Sequence, residues 1–348
     1  MNKIKVAIVG AGNCAKSLVE GVTFYSTNPN DTVGLIHHKI GGYSVSDIEF
    51  VAAFDIDERK VDKPLNEALA AEPNRTITIA KLEPSKIIVK RGPTHNSVID
   101  ENRNYFIHES EKSPIDVVAE LKASGAEVVL NYLPTGSDEA AFSYAEAALE
   151  AGCNFVNCMP TKIGRDKAWI DRFAQKGLVL FGDDIKSQFG ATIVNRALLE
   201  LFKKRGFQVT QSDQTNYGGN ADHYNLHYRP QAKEECKESA LCSVLSLDDV
   251  KPTARMVYTE KNYDHKRASL FLVGEMFGRI PASLHVILDD EDSPNSGGIV
   301  IDAIRAARVL VEKNATVRAI EIAAFLMKAP FKQLSEEESY RKFSEILG

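Results

Sequence analysis

The chain has 348 residues, 44% of them hydrophobic, and a formal net charge of −6. That length predicts two packed units rather than one core, and the mildly acidic balance excludes a general nucleic-acid binder or a protein held on an acidic membrane surface. No stretch approaches the ~20 apolar residues of a membrane span and no apolar leader opens the sequence, while the five cysteines (Cys14, Cys153, Cys158, Cys236, Cys242) lack zinc-finger spacing and read as reduced packing thiols of a cytoplasmic protein.

Residues 6–9 are apolar and mostly β-branched, which predicts a strand buried on both faces. The chain then reads Gly10-Ala11-Gly12-Asn13-Cys14-Ala15. Gly10 permits a tight turn, Gly12 lets a bulky anion approach the backbone, and Ala15 lets the helix over 16–27 pack on the strand. Gly-x-Gly-x-x-Ala between a strand and a helix is the fingerprint that seats a dinucleotide pyrophosphate on a helix N-terminus. The polar stretch 26–46 is too long for an ordinary loop and reads as an insertion. Residues 48–54 form the second strand, and Asp55 at its end suits the adenosine ribose hydroxyls of NAD. Asp57 competes for that role, and a strand-end turn would use either residue.

Residues 76–109, with Pro84 and Pro93, read as a partly extended excursion. The α/β alternation resumes with a helix over 117–124, a strand over 127–132, a helix over 140–151, strands over 153–158 and 179–183, and a helix over 191–205. Ligands on parallel sheets gather at the carboxyl ends of strands. Asn131, Leu133, Pro134, the Met159-Pro160 pair, Asp183, Lys186 and Ser187 fall there. The second unit opens with a strand over 207–217 and a turn at Gly218-Gly219-Asn220. Residues 233–238 read as a solvated helix face, and 254–258, 268–273 and 283–288 as antiparallel strands. A polar loop over 289–298 leads into a strong helix over 299–313, and Pro330 closes a last apolar segment over 320–328.

Four polar clusters carry candidate chemistry. The first is Gly182-Asp183-Asp184-Ile185-Lys186-Ser187-Gln188, two acids and a lysine at a helix start, equally suited to capping. The second is Asn216-Tyr217-Gly218-Gly219-Asn220-Ala221-Asp222-His223, or else a plain hairpin turn. The third is Asp292-Ser293-Pro294-Asn295-Ser296 at the mouth of the long helix, whose dipole end favours anions and whose residues also cap. The fourth is the lysine set Lys261, Lys266 and Lys328; Lys328 sits in an apolar run and points into a site or snorkels. His223 and His227 have metal-ligand spacing, although surface or packing roles account for them as well. Hydrolase and NTPase signatures are missing from the sequence.

These clusters, in this order after the glycine turn, resemble the shorter prokaryotic type of the myo-inositol-1-phosphate synthase family over essentially the whole chain. The resemblance implies a Rossmann domain over 1–206 and 299–348 with an inserted α+β catalytic and oligomerisation domain over 207–298, a homotetramer, and an NAD-dependent cyclisation of glucose 6-phosphate without net redox change. It places Lys266, Lys328, Asp184, Asp222, Asp292 and Asn220 in catalytic positions. Gly10, Gly12, Asn13, Cys14, Ala15, Asp55, Asn131, Leu133, Pro134, Asp183, Lys186, Ser187, Asn295 and Ser296 fall in cofactor positions. A monovalent or divalent cation is allowed for beside NAD, with a phosphosugar as the partner and neither nucleic acid nor membrane. The chain departs from the family where Met276 replaces a commonly cationic residue and where Lys237 stands near an expected Ser-Lys pair. A different hexose phosphate, a net phosphosugar dehydrogenase and a non-catalytic NAD sensor are the competing expectations.

Overall fold

The computed structural model describes residues 2–348 except 102, 104 and 246–249. The first part of the chain runs through β1 (Ile4–Val9), α1 (Asn13–Thr27), β2 (Ile48–Asp55), α2 (Leu65–Ala70), β3 (Lys90–Arg91), α3 (Val117–Ser124), β4 (Val128–Asn131), α4 (Asp138–Ala151), β5 (Asn154–Asn157), α5 (Lys167–Gln175), β6 (Leu180–Phe181) and α6 (Ala191–Lys204). The six strands form a sheet of order β3-β2-β1-β4-β5-β6, every pair parallel. This is the doubly wound order, whose switch point lies between β1 and β4. Wholly buried Ile4, Val6, Ala7, Ile8, Val129 and Leu130 explain why these strands read as continuous apolar runs. α2, β3 and α5 were not evident in the sequence. α2 is short, β3 has two residues, and α5 buries little beyond Phe173.

The second part comprises β7 (Gln208–Gly218), α7 (Ala221–Tyr228), α8 (Gln231–Cys242), β8 (Thr253–Tyr258), β9 (His265–Glu275) and β10 (Pro281–Glu291). Its sheet has the order β10-β9-β7-β8. β9 and β10 are antiparallel as expected, but β8 pairs parallel with β7. The cause is connectivity: α7 and α8 lie between the two strands and provide the crossover that a parallel pair needs. The turn at Gly218-Gly219-Asn220 is therefore a strand-to-helix turn, not a hairpin, and Asn220 caps α7 by accepting from His223 N.

The chain then returns to the first sheet through α9 (Gly297–Glu312), α10 (Ala319–Leu326) and α11 (Glu336–Leu347). Ile299, Val300, Ile304, Leu326 and Phe343 join Ile4, Val6, Val128 and Val156 in one core. The fold is thus a Rossmann-type sheet with a smaller α+β unit inserted before the C-terminal helices. No helix among the described residues is long and apolar enough to cross a membrane.

Candidate active site

A cleft of about 1430 Å³ opens at the carboxyl ends of β1 and β4. Gly10, with φ +90°, makes the turn out of β1, and a Cβ there would lie 2.9 Å from the Tyr132 carbonyl oxygen. Gly12 has no neighbour within 4 Å of an added Cβ, so the backbone at the N-terminus of α1 is open to the cleft. Asp55 accepts from Ala11 N at 2.8 Å and Ile56 N at 2.7 Å while lining the cleft. Asp57 is fully buried in a pair with Arg59, and of the two candidates it is Asp55 that lines the cleft. Asn13, Cys14, Leu133, Pro134, Ser187 and Ser296 also line the cleft. Burial and Asp264 push the Cys14 thiol up to about 12. Cys14 therefore faces the ligand space rather than packing in a core, and Cys242 is exposed.

Four expected cofactor residues act behind the walls. Ala15 is wholly buried against β1, as its small size requires. Asn131 is buried and shapes the turn after β4 by accepting from Leu133 N and donating to Asn157 Oδ1. Asp183 is fully buried and receives Asn157 Nδ2 and Gly164 N, each at 2.7 Å, so it organises the loop at 163–165 rather than touching a ligand. Burial pushes its carboxyl up to about 7 against those bonds. Asn295 clamps Phe189, accepting from its N and donating to its O, both at 2.9 Å. Lys186 borders the adjoining recess, but its ammonium is spent on Ala324 O and Glu336, so it fastens α11.

That recess, of about 540 Å³, adjoins the cleft and shares Ser187, Asp222, Lys233, Asp292 and Lys328 with it. The recess brings together Asp222, Lys266, Asp292 and Lys328, while Asp184 and Asn220 line the adjoining cleft. Asp184 is held at φ +60°. It sits between Lys233 and Lys328, each at 3.0 Å. Burial disfavours its charge, but the two lysines outweigh this and lower its pKa. Lys328 is fixed by backbone pairing: its N donates to Asp184 O, and Asp183 and Ala329 exchange two bonds. Lys266, on β9, contacts Asp290 and Asp292. Burial opposes its charge, and the two carboxylates more than restore it. Lys328 therefore already has an anionic partner in Asp184 and is half-buried rather than snorkelling to solvent.

Three residues were missed. Lys233 and Lys237 of α8 both line the recess, so the expected solvated face at 233–238 is half wrong: Glu235 is exposed, while Cys236 and Lys237 are buried. The signal available was their i, i+4 spacing beside Ala240 and Leu241, which puts the two lysines on the apolar side of the helix. Burial first, then Lys328, Lys266 and Lys233, bring the Lys237 ammonium down to about 7. The third, Asp264, receives Asn220 Nδ2, Asn13 Nδ2 and Ser293 Oγ within 3.1 Å and so joins the cleft turn to the inserted unit. Lys261 is exposed and does not line the recess. His227 is exposed whereas His223 is buried, and among the described residues no group of three or more His, Cys, Asp or Glu is placed to hold a metal ion, so the allowance for a cation finds no support.

Five lysines and two aspartates around a recess, beside the N-terminal backbone of α6 at Gly190-Ala191-Thr192, can bind a polyanion and stabilise a developing oxyanion. The adjoining cleft carries the glycine turn and Asp55. The myo-inositol-1-phosphate synthase family model matches residues 190–293. Inositol-3-phosphate synthase of Corynebacterium glutamicum is 42% identical over 359 residues, covering 99% of this chain and 98% of that one. Inositol-3-phosphate synthase of Mycolicibacterium smegmatis is 42% identical over 352 residues, covering 96% and 95%. The crystal structure of Ari2 superposes with a TM-score of 0.80 at 32% identity, covering 99% of this chain and 98% of that one.

Proposed function

Because the chain belongs to the myo-inositol-1-phosphate synthase family and is an isomerase-type enzyme of it, we propose that it cyclises glucose 6-phosphate to 1L-myo-inositol 1-phosphate with NAD retained in the cleft. The observation that carries this reading is the shared wall between the cleft of the glycine turn and a recess holding five buried or half-buried lysines. The residues fit NAD: Gly12 leaves the backbone open, and the Asp55 carboxylate lines the cleft. NAD bound there would supply the reversible hydride exchange that makes oxidation and re-reduction cancel.

The recess would do the rest. With C5 at the ketone level, the C6–H bond is acidified. Lys237, the lysine closest to neutral, accepts that proton. Lys266 and Lys328 stabilise the enolate oxygen and then the alkoxide formed when C6 attacks C1. Asp184 and Asp292 hold these lysines charged and in place, and Asn220 with Asp222 shapes the wall between the two spaces. The α6 N-terminus with Ser187 provides the phosphate seat.

The test is NMR of the product from glucose 6-phosphate with added NAD, alongside the absorbance of free NADH. Inositol phosphate without net NADH supports the reading; stoichiometric NADH favours a dehydrogenase, and another carbocycle favours a different hexose phosphate. Asp55 repels a ribose 2′-phosphate, so a binding titration should show NAD held more tightly than NADP. Tighter NADP would remove Asp55 from the ribose role. We also propose that residues 207–298 form a catalytic and oligomerisation unit of a homotetramer. Phe271 and Ile287 leave one face of the second sheet exposed, as a partner-covered sheet would. A concentration-independent monomer in light scattering would refute that assembly.

A further inference from the structure

His223 lies in the first turn of α7, is 2% exposed, and lines the recess. Its surroundings define its tautomer. Asn220 Nδ2 donates to Asp264 at 2.8 Å, which leaves Asn220 Oδ1 to accept from His223 N at 2.9 Å. That same oxygen is 3.2 Å from His223 Nδ1. An amide oxygen cannot donate, so Nδ1 carries the hydrogen and Nε2 carries the lone pair. Burial brings the imidazolium down to about 4 against the pull of Asp292 and Asp222, so the ring is neutral at pH 7. Nε2 is buried and has no hydrogen-bond partner among the described residues. The ring fills the space beside Gly218, where an added Cβ would lie 2.5 Å from Nε2.

A buried acceptor without a partner is costly, and native sites keep one where a ligand satisfies it. Lys233, Lys266 and Lys328 direct their N–H groups at Asp184 and Asp292. A sugar hydroxyl would bring Nε2 the donor it lacks. We infer that His223 Nε2 accepts a hydrogen bond from a hydroxyl of the bound sugar and thereby helps to select which hexose phosphate the recess takes. This rests on the phosphosugar reading above. An uncharged acceptor suits the position because it binds a hydroxyl without repelling the phosphate.

The test has two arms. Imidazole ¹⁵N NMR of the unliganded protein at pH 7 should show a neutral ring protonated on Nδ1; an Nε2–H tautomer or an imidazolium overturns the inference whatever the substrate. In calorimetry, His223→Phe should weaken glucose 6-phosphate about tenfold while inorganic phosphate binds as in the wild type, and His223→Gln, which keeps an acceptor, should recover part of the loss. Unchanged sugar-phosphate affinity, or an equal loss for inorganic phosphate, overturns it. A wild type that binds phosphate but not glucose 6-phosphate ends the substrate reading instead; His223 is then judged by the same comparison on mannose 6-phosphate and galactose 6-phosphate, and binding of neither overturns it as well.

Discussion

Lys328→Ala is expected to lower turnover of glucose 6-phosphate by ~100-fold or more while leaving folding and NAD binding close to those of the wild type. The lysine is held at the recess by the pairing of 327–329 with 183–185, and that pairing is made by the backbone, so alanine preserves it. Asp184 also survives the change, because Lys233 remains 3.0 Å from it and keeps it from becoming an unpaired buried charge. What is lost is a cation in a desolvated pocket, beside the place where negative charge develops in the reaction. Lys328→Arg should restore turnover only in part, since a planar fork replaces a point charge poorly. Single-turnover kinetics with a cofactor titration check this. Normal turnover in the alanine variant would show that the pairing with Asp184 is the whole role of Lys328.

Lys237→Met is expected to have the larger effect, about 1000-fold on turnover, because it removes the group assigned to take the C6 proton. Its methylene stem is conserved in length and polarity, so α8 keeps its packing against β8. The wild-type profile of kcat/KM should rise with pH through about 7, as the Lys237 ammonium loses its proton and becomes able to accept one. The sign follows from the role: a base works in its deprotonated form, and burial with three neighbouring lysines places that form near neutrality. The methionine variant should lose this rising limb along with its activity. A variant that keeps the limb would transfer the base assignment to another group.

Much of the cofactor half was legible because its signals are local. A glycine turn between a strand and a helix, with an acid at the next strand's end, needs only neighbours in sequence to be read, and Gly10, Gly12 and Asp55 all line the cleft. The substrate half was legible in its clusters but not in the roles inside them. Asp183 and Asp184 are adjacent and chemically identical, but Asp184, with a positive φ, lines the cleft between two lysines while Asp183 is bound to a loop. Asn295 looked like a ligand contact and is a clamp on Phe189, because its partner lies more than a hundred residues away in sequence. Lys233 and Lys237 were hidden by their own charge: a run of Lys and Glu reads as a surface, and only the packing of α8 against the recess shows which side of it is dry. The parallel pairing of β8 was unreadable for a similar reason, since strand direction is set by the crossover and not by the strand's own residues.

The return of the chain to its first sheet also sets an order of completion during synthesis. The glycine turn, Asp55 and the Asp183–Asp184 pair are made early, whereas Met327, Lys328 and Ala329 come some 140 residues after the segment they pair with. A nascent chain that has not reached them lacks Lys328 and leaves Asp184 with one cation in place of two, and one that ends before α9 also exposes the face of the first sheet that α9 and α10 later cover. The glycine turn thus exists before the recess is complete, and the last segments to emerge both close the core and complete the charge pattern of the recess.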